Sequence, residues 1–200
     1  RHVREPEPPA VVVVGELFVI ETEHVQDGGV DVVDGDLVDG GLVADLVGRA
    51  VGDAALAAEV GQRDVDLVIL AGFMRILTPV FIEPFSGRLL NVHPSLLPKY
   101  PGLHTHQRAL DAGDTEAGVT VHFVTLELDG GPPIIQARVP VLPGDTAQSL
   151  AARVIAKEHL IYPLAAQWYI SGRLQLTDNG VRLDGEPIPA TGVDYQEEER

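Results

Sequence analysis

Apolar runs of strand length alternate with stretches of helical periodicity over most of the chain. VDLVILA (65–71) and RLLNV (88–92) are mainly apolar runs with the length of a buried strand. RAVGDAALAAEVGQR (49–63) precedes them and predicts a helix, and PVFIEPF (79–85) lies between them and predicts a short helix that begins at a proline. Strands that alternate with helices are typical of an α/β domain with a mostly parallel sheet.

The second half of the chain continues this alternation. HQRALDAG (106–113) predicts another short helix. GVTVHFVT (118–125) and PIIQARVPV (133–141) predict two strands joined by a reversal that contains a pair of glycines. The whole pattern therefore predicts a single α/β domain in which a mostly parallel, twisted sheet is flanked by helices.

The longest helical stretch lies in GDTAQSLAARVIAKEHLIYPLAAQWYISG (144–172). Asp145 is its predicted N-cap, with Gln148 three residues later in a capping box, and Gly172 is its predicted end. Helical periodicity places the apolar stripe that faces the core at Leu150, Val154, Ile161 and Trp168.

Residues 1–48 differ in composition from the rest. They contain 13 Val, 7 Gly and 11 acidic residues against 2 Arg, with no Lys, Ser or Asn. VVVV (11–14) and LFVI (17–20) have strand character, but DGGVDVVDGDLVDGG (27–41) has neither strand nor helix periodicity. An acidic Val-rich segment, a replaced first βα unit and a GC-rich gene read in a wrong frame would each explain this composition. We therefore divide the chain into an atypical segment at 1–48, a domain at 49–189 and a charged tail at 190–200.

Composition limits the classes of partner. The formal net charge of −16 argues against nucleic acid and anionic membranes, because both bind basic patches. The chain has no Cys, which excludes a disulfide framework, and no apolar run approaches the roughly 20 residues of a membrane span. We expect a cytoplasmic monomer or homodimer that acts on small molecules. Because the chain begins with Arg1 and shows no signal peptide, we interpret its start as incomplete or processed.

Polar and titratable residues are concentrated in LLNVHPSLLPKYPGLHTH (89–106). Its three prolines exclude a helix or a central strand and predict an ordered loop that leaves the end of a strand. Asn91 and His93 are two residues apart, so on extended backbone both side chains lie on the same face. An amide donor and an imidazole that titrates near neutrality together supply an oxyanion stabiliser and a proton carrier.

Asp129 in LDGGP is the candidate carboxylate for this pair. Gly130 and Gly131 let its loop bend toward Asn91 and His93, and a carboxylate beside an imidazole orients the ring and favours its charged form. The chain has no Cys and no Ser in a nucleophile-elbow motif, so direct transfer fits better than a covalent acyl-enzyme.

Structural interpretations of these residues remain open. Asn91 and His93 could be turn or core residues, and Asp129 could be a turn former. His104 and His106, together with His93, suggest a metal site, but metal sites usually have more ligands at helical or hairpin spacing, and we expect no metal.

Four motifs occur in order and at matching spacing: VILAGFMRIL (68–77), GRLLNVHPSLLPKYPGLHTH (87–106), VTVHFVT-x-ELDGGP-x-I-x-Q (119–136) and EHxIYP (158–163). On these motifs the chain resembles the folate-dependent phosphoribosylglycinamide formyltransferases of purine biosynthesis. The resemblance runs from about Arg49 to about Pro189. NxHPSLLP alone indicates the wider formyltransferase superfamily, whereas KYPGLHTH and EHxIYP are specific to this branch.

The resemblance implies a Rossmann-like N-terminal half and transfer of a formyl group from 10-formyltetrahydrofolate to the amine of glycinamide ribonucleotide. It implies that Asn91, His93 and Asp129 are the catalytic residues and that the HTH segment lies beside the site without binding a metal. It implies folate contacts at Arg49, Met74, Arg75, Ile76, Leu77, Asn91, Thr125, Leu126, Glu127, Leu128 and Asp129. It implies ribonucleotide contacts at Ile155, Ala156, Lys157 and Glu158.

Residues 1–48 depart from the family pattern. The family has a strand followed by a Gly/Ser/Asn-rich turn that opens a helix, whose backbone amides hold the ribonucleotide phosphate. Here VVVVGELFVIETE (11–23) supplies one Gly and no Ser or Asn. Three alternatives therefore stand beside the leading interpretation: a sister formyltransferase, a formyl-folate hydrolase, and a folate-binding or weakly active relative impaired by loss of the phosphate loop.

Overall fold

The computed structural model describes residues 11–15, 19–21, 57–58, 60–62, 65–71 and 76–196. The strands are Val11–Gly15 (β1), Val19–Glu21 (β2), Leu67–Ala71 (β3), Leu89–His93 (β4), Glu116–Phe123 (β5), Pro133–Pro140 (β6), Leu174–Thr177 (β7), Gly180–Leu183 (β8), Glu186–Pro187 (β9) and Val193–Asp194 (β10). The helices are Pro79–Ile82 (α1), followed by a 3₁₀ turn at Glu83–Phe85, then Thr105–Asp111 (α2) and Ala147–Ile170 (α3). Residues 57–58 and 60–61 are also helical.

Seven strands form one sheet in the order β10-β6-β5-β4-β3-β1-β2, and β7, β8 and β9 form a second. The pairs β1–β3, β3–β4 and β6–β10 are parallel, whereas β1–β2, β4–β5 and β5–β6 are antiparallel. The predicted α/β fold, a sheet flanked by helices, is confirmed, and the sheet contains antiparallel as well as parallel pairs. The connection between β5 and β6 explains part of this, because parallel neighbours need a crossover of a dozen or more residues.

The sheet is packed on both faces. Side chains of β4, β5 and β6 that point to one face form a core with α3, in which Leu90, Val121, Phe123, Val154 and Ile161 are all buried. The buried residues at the predicted stripe positions 150, 154, 161 and 168 confirm the helical periodicity of α3.

A smaller apolar cluster covers the opposite face. Val68, Leu70 and Leu89 of the sheet pack there against Phe81 and Phe85 of α1 and the 3₁₀ turn. Since Leu89 and Asn91 are two residues apart on β4, this is the face to which Asn91 and His93 also point.

The N-terminus of α3 differs by one residue from its prediction. Thr146, not Asp145, is the N-cap; its hydroxyl accepts from the Ser149 N–H, and the Ser149 hydroxyl accepts from the Thr146 N–H. Asp145 accepts instead from the Leu142 N–H and pairs with Arg153. Gln148 is therefore not the capping-box partner. The box takes the shorter Ser149, because two β-hydroxyls at N-cap and N3 satisfy both backbone donors.

The backbone of the first segment contributes two strands. β1 lies parallel to β3, with Val11 opposite Leu67 and Gly15 opposite Ala71, and β2 lies antiparallel to β1. VVVV and LFVI therefore contain strands, as predicted. The remainder of segment 1–48 and most of the helix predicted at 49–63 lie outside the described residues.

Candidate active site

Asn91 and His93 face β5 across the β4–β5 pair. Asn91 lies opposite His122, and His93 lies opposite Thr120. Directly opposed residues of an antiparallel pair put their side chains on the same face, so four polar side chains meet on one patch of the sheet. His93, Thr120 and His122 are 6%, 0% and 2% exposed, which makes this patch a buried polar cluster.

Asp129 reaches this cluster from a loop that folds back over the sheet. Because β5 is antiparallel to β4, β5 ends at Phe123 opposite Leu90, not beside His93. Asp129 nevertheless lies with its carboxylate Oδ2 3.4 Å from His93 Nδ1 and Oδ1 3.9 Å from His122 Nε2. The loop therefore brings Asp129 to His93 on β4, as the sequence predicted.

The glycines that follow Asp129 make this return of the chain possible. A Cβ added at Gly131 would lie 1.8 Å from the carbonyl oxygen of Phe123, so only glycine fits this close approach. Asp129 itself has a φ of 51°, in the left-handed region that Asp and Asn tolerate better than most residues. Its Oδ2 accepts a hydrogen bond of 2.8 Å from the Gly102 N–H, which ties the two loops together.

His93 has a partner for each ring nitrogen. Nε2 lies 2.9 Å from the carbonyl oxygen of Tyr100, and Nδ1 faces Asp129. A carbonyl oxygen only accepts, so Nε2 carries a proton in this arrangement. When Nδ1 is also protonated, both N–H groups of the imidazolium point at acceptors.

His122 is a site residue that the sequence analysis missed. Its Nδ1 donates to the Phe123 carbonyl at 2.9 Å, which leaves Nε2 as the acceptor for the Asn91 amide N–H at 3.3 Å. Burial lowers the pKa of His122, and the neutral form is the one that these two bonds require. The signal was the one titratable residue in the strand-like run GVTVHFVT, because a buried polar group needs a partner.

The His122 contact orients the amide of Asn91. One N–H of the amide donates to His122, and the amide carries a second N–H. This second donor is held in a fixed direction beside His93, which is the arrangement that stabilises a developing oxyanion.

A buried hydrogen-bond network holds the loop that follows His93. The Thr120 hydroxyl donates to the Ser95 carbonyl at 2.6 Å and accepts from the Leu97 N–H at 3.0 Å. Gln136 donates to the Leu97 carbonyl at 2.8 Å. The loop is therefore anchored to β5 and β6, and the position of His93 relative to the loop is fixed.

The residues assigned to folate by the resemblance surround Asp129 in part. Leu126 and Leu128 are 60% and 57% exposed, and Ile76 is 76% exposed. Thr125 is half-buried, Glu127 is exposed and Leu77 is buried. The two exposed leucines belong to the loop that brings Asp129 to the buried polar cluster, and apolar side chains in such a place suit an aromatic ligand with a polar reacting end. Arg49, Met74 and Arg75 lie outside the described residues.

The residues assigned to the ribonucleotide lie on α3, which covers the face of the sheet opposite to Asn91. Ile155 and Ala156 are exposed, and Lys157 and Glu158 are half-buried. Burial raises the pKa of the Glu158 carboxyl. One turn later, the Tyr162 hydroxyl lies 2.7 Å from the Leu70 carbonyl and 3.0 Å from the Leu90 carbonyl, which fixes this part of α3 against β3 and β4.

The HTH segment lies beside the site. His106 is close enough to His93 that burial, together with the charge of His93, lowers its pKa. Over the described ranges no group of three His, Asp or Glu side chains could hold a metal ion. Nor does any helix in this part of the chain have the length and hydropathy to cross a membrane.

Comparison with known proteins relates this geometry to a family. The formyl transferase family matches residues 19–166. This match begins inside segment 1–48, and the division of the chain at residue 48 remains a prediction.

Two curated relatives are phosphoribosylglycinamide formyltransferases. The one from Escherichia coli is 55% identical over 144 residues, which cover 72% of this chain and 68% of the relative. The one from Haemophilus influenzae is 51% identical over 140 residues, covering 70% of this chain and 66% of the relative. The chain thus spans about two thirds of the length of each relative.

A solved structure agrees with these relatives. The phosphoribosylglycinamide formyltransferase from Coxiella burnetii superposes with a TM-score of 0.69 at 49% identity, covering 72% of this chain and 68% of that one. The chain therefore belongs to the formyl transferase family and, within it, to the phosphoribosylglycinamide formyltransferases.

Proposed function

We propose that this chain transfers the formyl group of 10-formyltetrahydrofolate to the amine of N1-(5-phosphoribosyl)glycinamide. The observation that supports it most strongly is the convergence of Asn91 and His93, from strand β4, with Asp129, from the loop after β5, in a member of this family. A fixed amide donor, an imidazole with two acceptors and a buried carboxylate are the groups that direct acyl transfer to an amine needs.

The roles follow from the bonds that each residue makes. The neutral amine attacks the formyl carbon, and the carbonyl oxygen becomes a tetrahedral oxyanion. The free N–H of Asn91 and the charged His93 stabilise this oxyanion, while Asp129 keeps the imidazolium in place. The amine then loses one proton and the folate nitrogen gains one as the carbon–nitrogen bond to folate breaks. His93 carries that proton, directly or through a water.

The remaining assignments concern binding. Exposed Leu126, Leu128 and Ile76 would contact the pterin side of the folate, together with Arg49, Met74, Arg75, Leu77, Thr125 and Glu127. Ile155–Glu158 would contact the ribonucleotide from α3, where the half-buried Glu158 can accept from sugar hydroxyls. On this proposal residues 49–189 form the catalytic domain, formyl-folate is the cosubstrate, and the reaction uses no metal.

The test is a two-substrate assay on the purified chain. Formylated ribonucleotide and released tetrahydrofolate should appear in equal amounts, and His93→Ala should abolish both. Formate release without ribonucleotide formylation would identify a hydrolase instead, and folate binding without any turnover would identify a binding protein. A formylated product on another acceptor amine would identify a sister formyltransferase.

A further inference from the structure

The loop between β4 and α2 contains a residue in a costly backbone conformation. Tyr100 has a φ of 55°. An aromatic residue is disfavoured in this left-handed region, so it persists where the surrounding contacts fix it. The contacts of Tyr100 therefore indicate which interactions keep this loop in its conformation.

The Tyr100 side chain makes contacts through its hydroxyl group and through the face of its ring. Its hydroxyl donates to Asp114 Oδ2 at 2.9 Å, and Lys99 Nζ donates to both carboxylate oxygens of Asp114 at 3.1 Å. The guanidinium of Arg108 lies 5.1 Å from the ring centroid. These bonds to Lys99 and Tyr100 hold the pKa of Asp114 below its ordinary value, so Asp114 stays a charged acceptor. The ring is thus attached to α2 and to the turn that follows it.

The other end of Tyr100 contacts the catalytic imidazole. The main-chain carbonyl oxygen of Tyr100 lies 2.9 Å from His93 Nε2, and it can only accept a proton. Neutral imidazole carries a single N–H, so the tautomer compatible with this bond has its proton on Nε2. Nδ1 lies 3.4 Å from Asp129 Oδ2, a longer contact than the 2.9 Å bond of Nε2, so Nδ1 is the nitrogen that loses its proton when the imidazolium becomes neutral.

We propose that Tyr100 and Asp114 are positioning residues: Asp114 holds the Tyr100 ring, and the Tyr100 carbonyl fixes neutral His93 as the Nε2–H tautomer. Nδ1 is then the nitrogen that exchanges the proton. In turnover the imidazolium gives its Nδ1 proton to the leaving folate nitrogen, and the Nε2–H form that remains regains a proton at Nδ1 from the amine that has attacked. The part that concerns turnover rests on the proposed function; the tautomer does not.

Nitrogen NMR on protein labelled with ¹⁵N-histidine tests the tautomer without any substrate. In the unsubstituted protein, neutral His93 should show its proton on Nε2. Tyr100→Phe and Asp114→Ala should each give a mixture of the two tautomers. Asp114→Asn retains an acceptor for the Tyr100 hydroxyl and should restore the single tautomer. Asp111→Asn, an exposed carboxylate on α2, is the matched control and should change nothing.

Steady-state kinetics supply the second measurement. Tyr100→Phe and Asp114→Ala should lower kcat by at least about tenfold with little change in KM, because part of the proton-transfer contribution is lost. Asp114→Asn should recover most of the lost kcat. An Nδ1–H tautomer in the unsubstituted protein, or a tautomer unchanged in both variants, would overturn the proposal. If the tautomers behave as expected while no formyl transfer occurs, the proposed function fails and the positioning role stands.

Discussion

Replacement of Asp129 by Asn separates the charge of this residue from its structural role. Asn tolerates the left-handed φ of 51°, and its amide oxygen can still accept from the Gly102 N–H. The volume is nearly unchanged. The substitution therefore removes the negative charge beside His93 Nδ1 and little else.

The size of the effect follows from the 3.4 Å separation of Oδ2 and Nδ1. Two unit charges at that distance interact by about 5 kcal/mol at an effective dielectric constant of 20. A hydrogen bond to a charged group contributes about 3 kcal/mol at the upper end of measured values. Because each 1.36 kcal/mol is tenfold in rate, turnover should fall by roughly 10²- to 4 × 10³-fold. The side chains are only 8% and 9% exposed, so solvent screening is small.

The assay is steady-state formyl transfer, with folate binding measured by calorimetry on the same samples. Asp129→Asn should bind folate within a few-fold of the unsubstituted protein while losing turnover. Asp184→Asn is the matched control, because Asp184 has a φ of 54°, precedes a glycine and lies in the separate three-stranded sheet, where it pairs with Arg173. Turnover of Asp129→Asn within threefold of the unsubstituted protein would refute the charge argument.

Three further predictions follow from the site and the front of the chain. Burial lowers the pKa of His106 and His122, so below about pH 6.5 the unfolded chain binds protons that the folded chain does not. The free energy of unfolding is therefore highest above about pH 6.5. Below that pH it falls by up to about 1.4 kcal/mol per pH unit for each histidine. Urea unfolding between pH 7.5 and 5.5 measures this. Turnover should survive dialysis against a chelator, because in the proposed mechanism Asn91 and His93 supply the charge stabilisation. Replacement of segment 1–48 by a strand and a Gly/Ser/Asn-rich loop should strengthen ribonucleotide binding, as calorimetry can show.

Each of these has an outcome that contradicts it. Stability that is flat between pH 7.5 and 5.5, or a slope that is unchanged in both His106→Gln and His122→Gln, would show that neither histidine is held neutral by the fold. Activity that is lost with chelator and restored by one divalent ion would establish a metal. Equal ribonucleotide affinity of the two front segments would show that the present one builds a phosphate site.

The grouping of Asn91, His93 and Asp129 could be predicted because their local patterns are short-range. Asn91 and His93 share a face of any extended chain, and the glycines after Asp129 mark a reversal whatever the fold. The direction of β5 could not be predicted in the same way. Apolar runs predict a strand without stating its partner, so the mixed sheet and the back-folded loop of Asp129 emerged only with the tertiary structure.

His122 shows a second limit of sequence reasoning. Its partner Asn91 is 31 residues away, and the pairing depends on the register between β4 and β5, which no local pattern specifies. The N-cap of α3 was predicted one residue too early for a related reason. Asp145 and Thr146 are both good caps, and the choice between them was decided by the bond of Asp145 to Arg153 two turns into the helix.

Segment 1–48 has its largest expected effect on binding of the substrate phosphate. β1 lies parallel to β3 and ends at Gly15, level with Ala71, so its carboxyl end is at the edge where parallel strands present ligands. β2 is antiparallel to β1 and begins at Val19. The sequence VVVVGELFVIETE (11–23) has one Gly and no Ser or Asn, so it lacks the Gly/Ser/Asn-rich pattern of a turn that opens a helix and presents its N–H groups to a phosphate. With 11 acidic residues against 2 Arg in segment 1–48, side chains there repel a dianion. The weaker ribonucleotide binding that we predict therefore has two independent physical causes, and the replacement of 1–48 removes both at once.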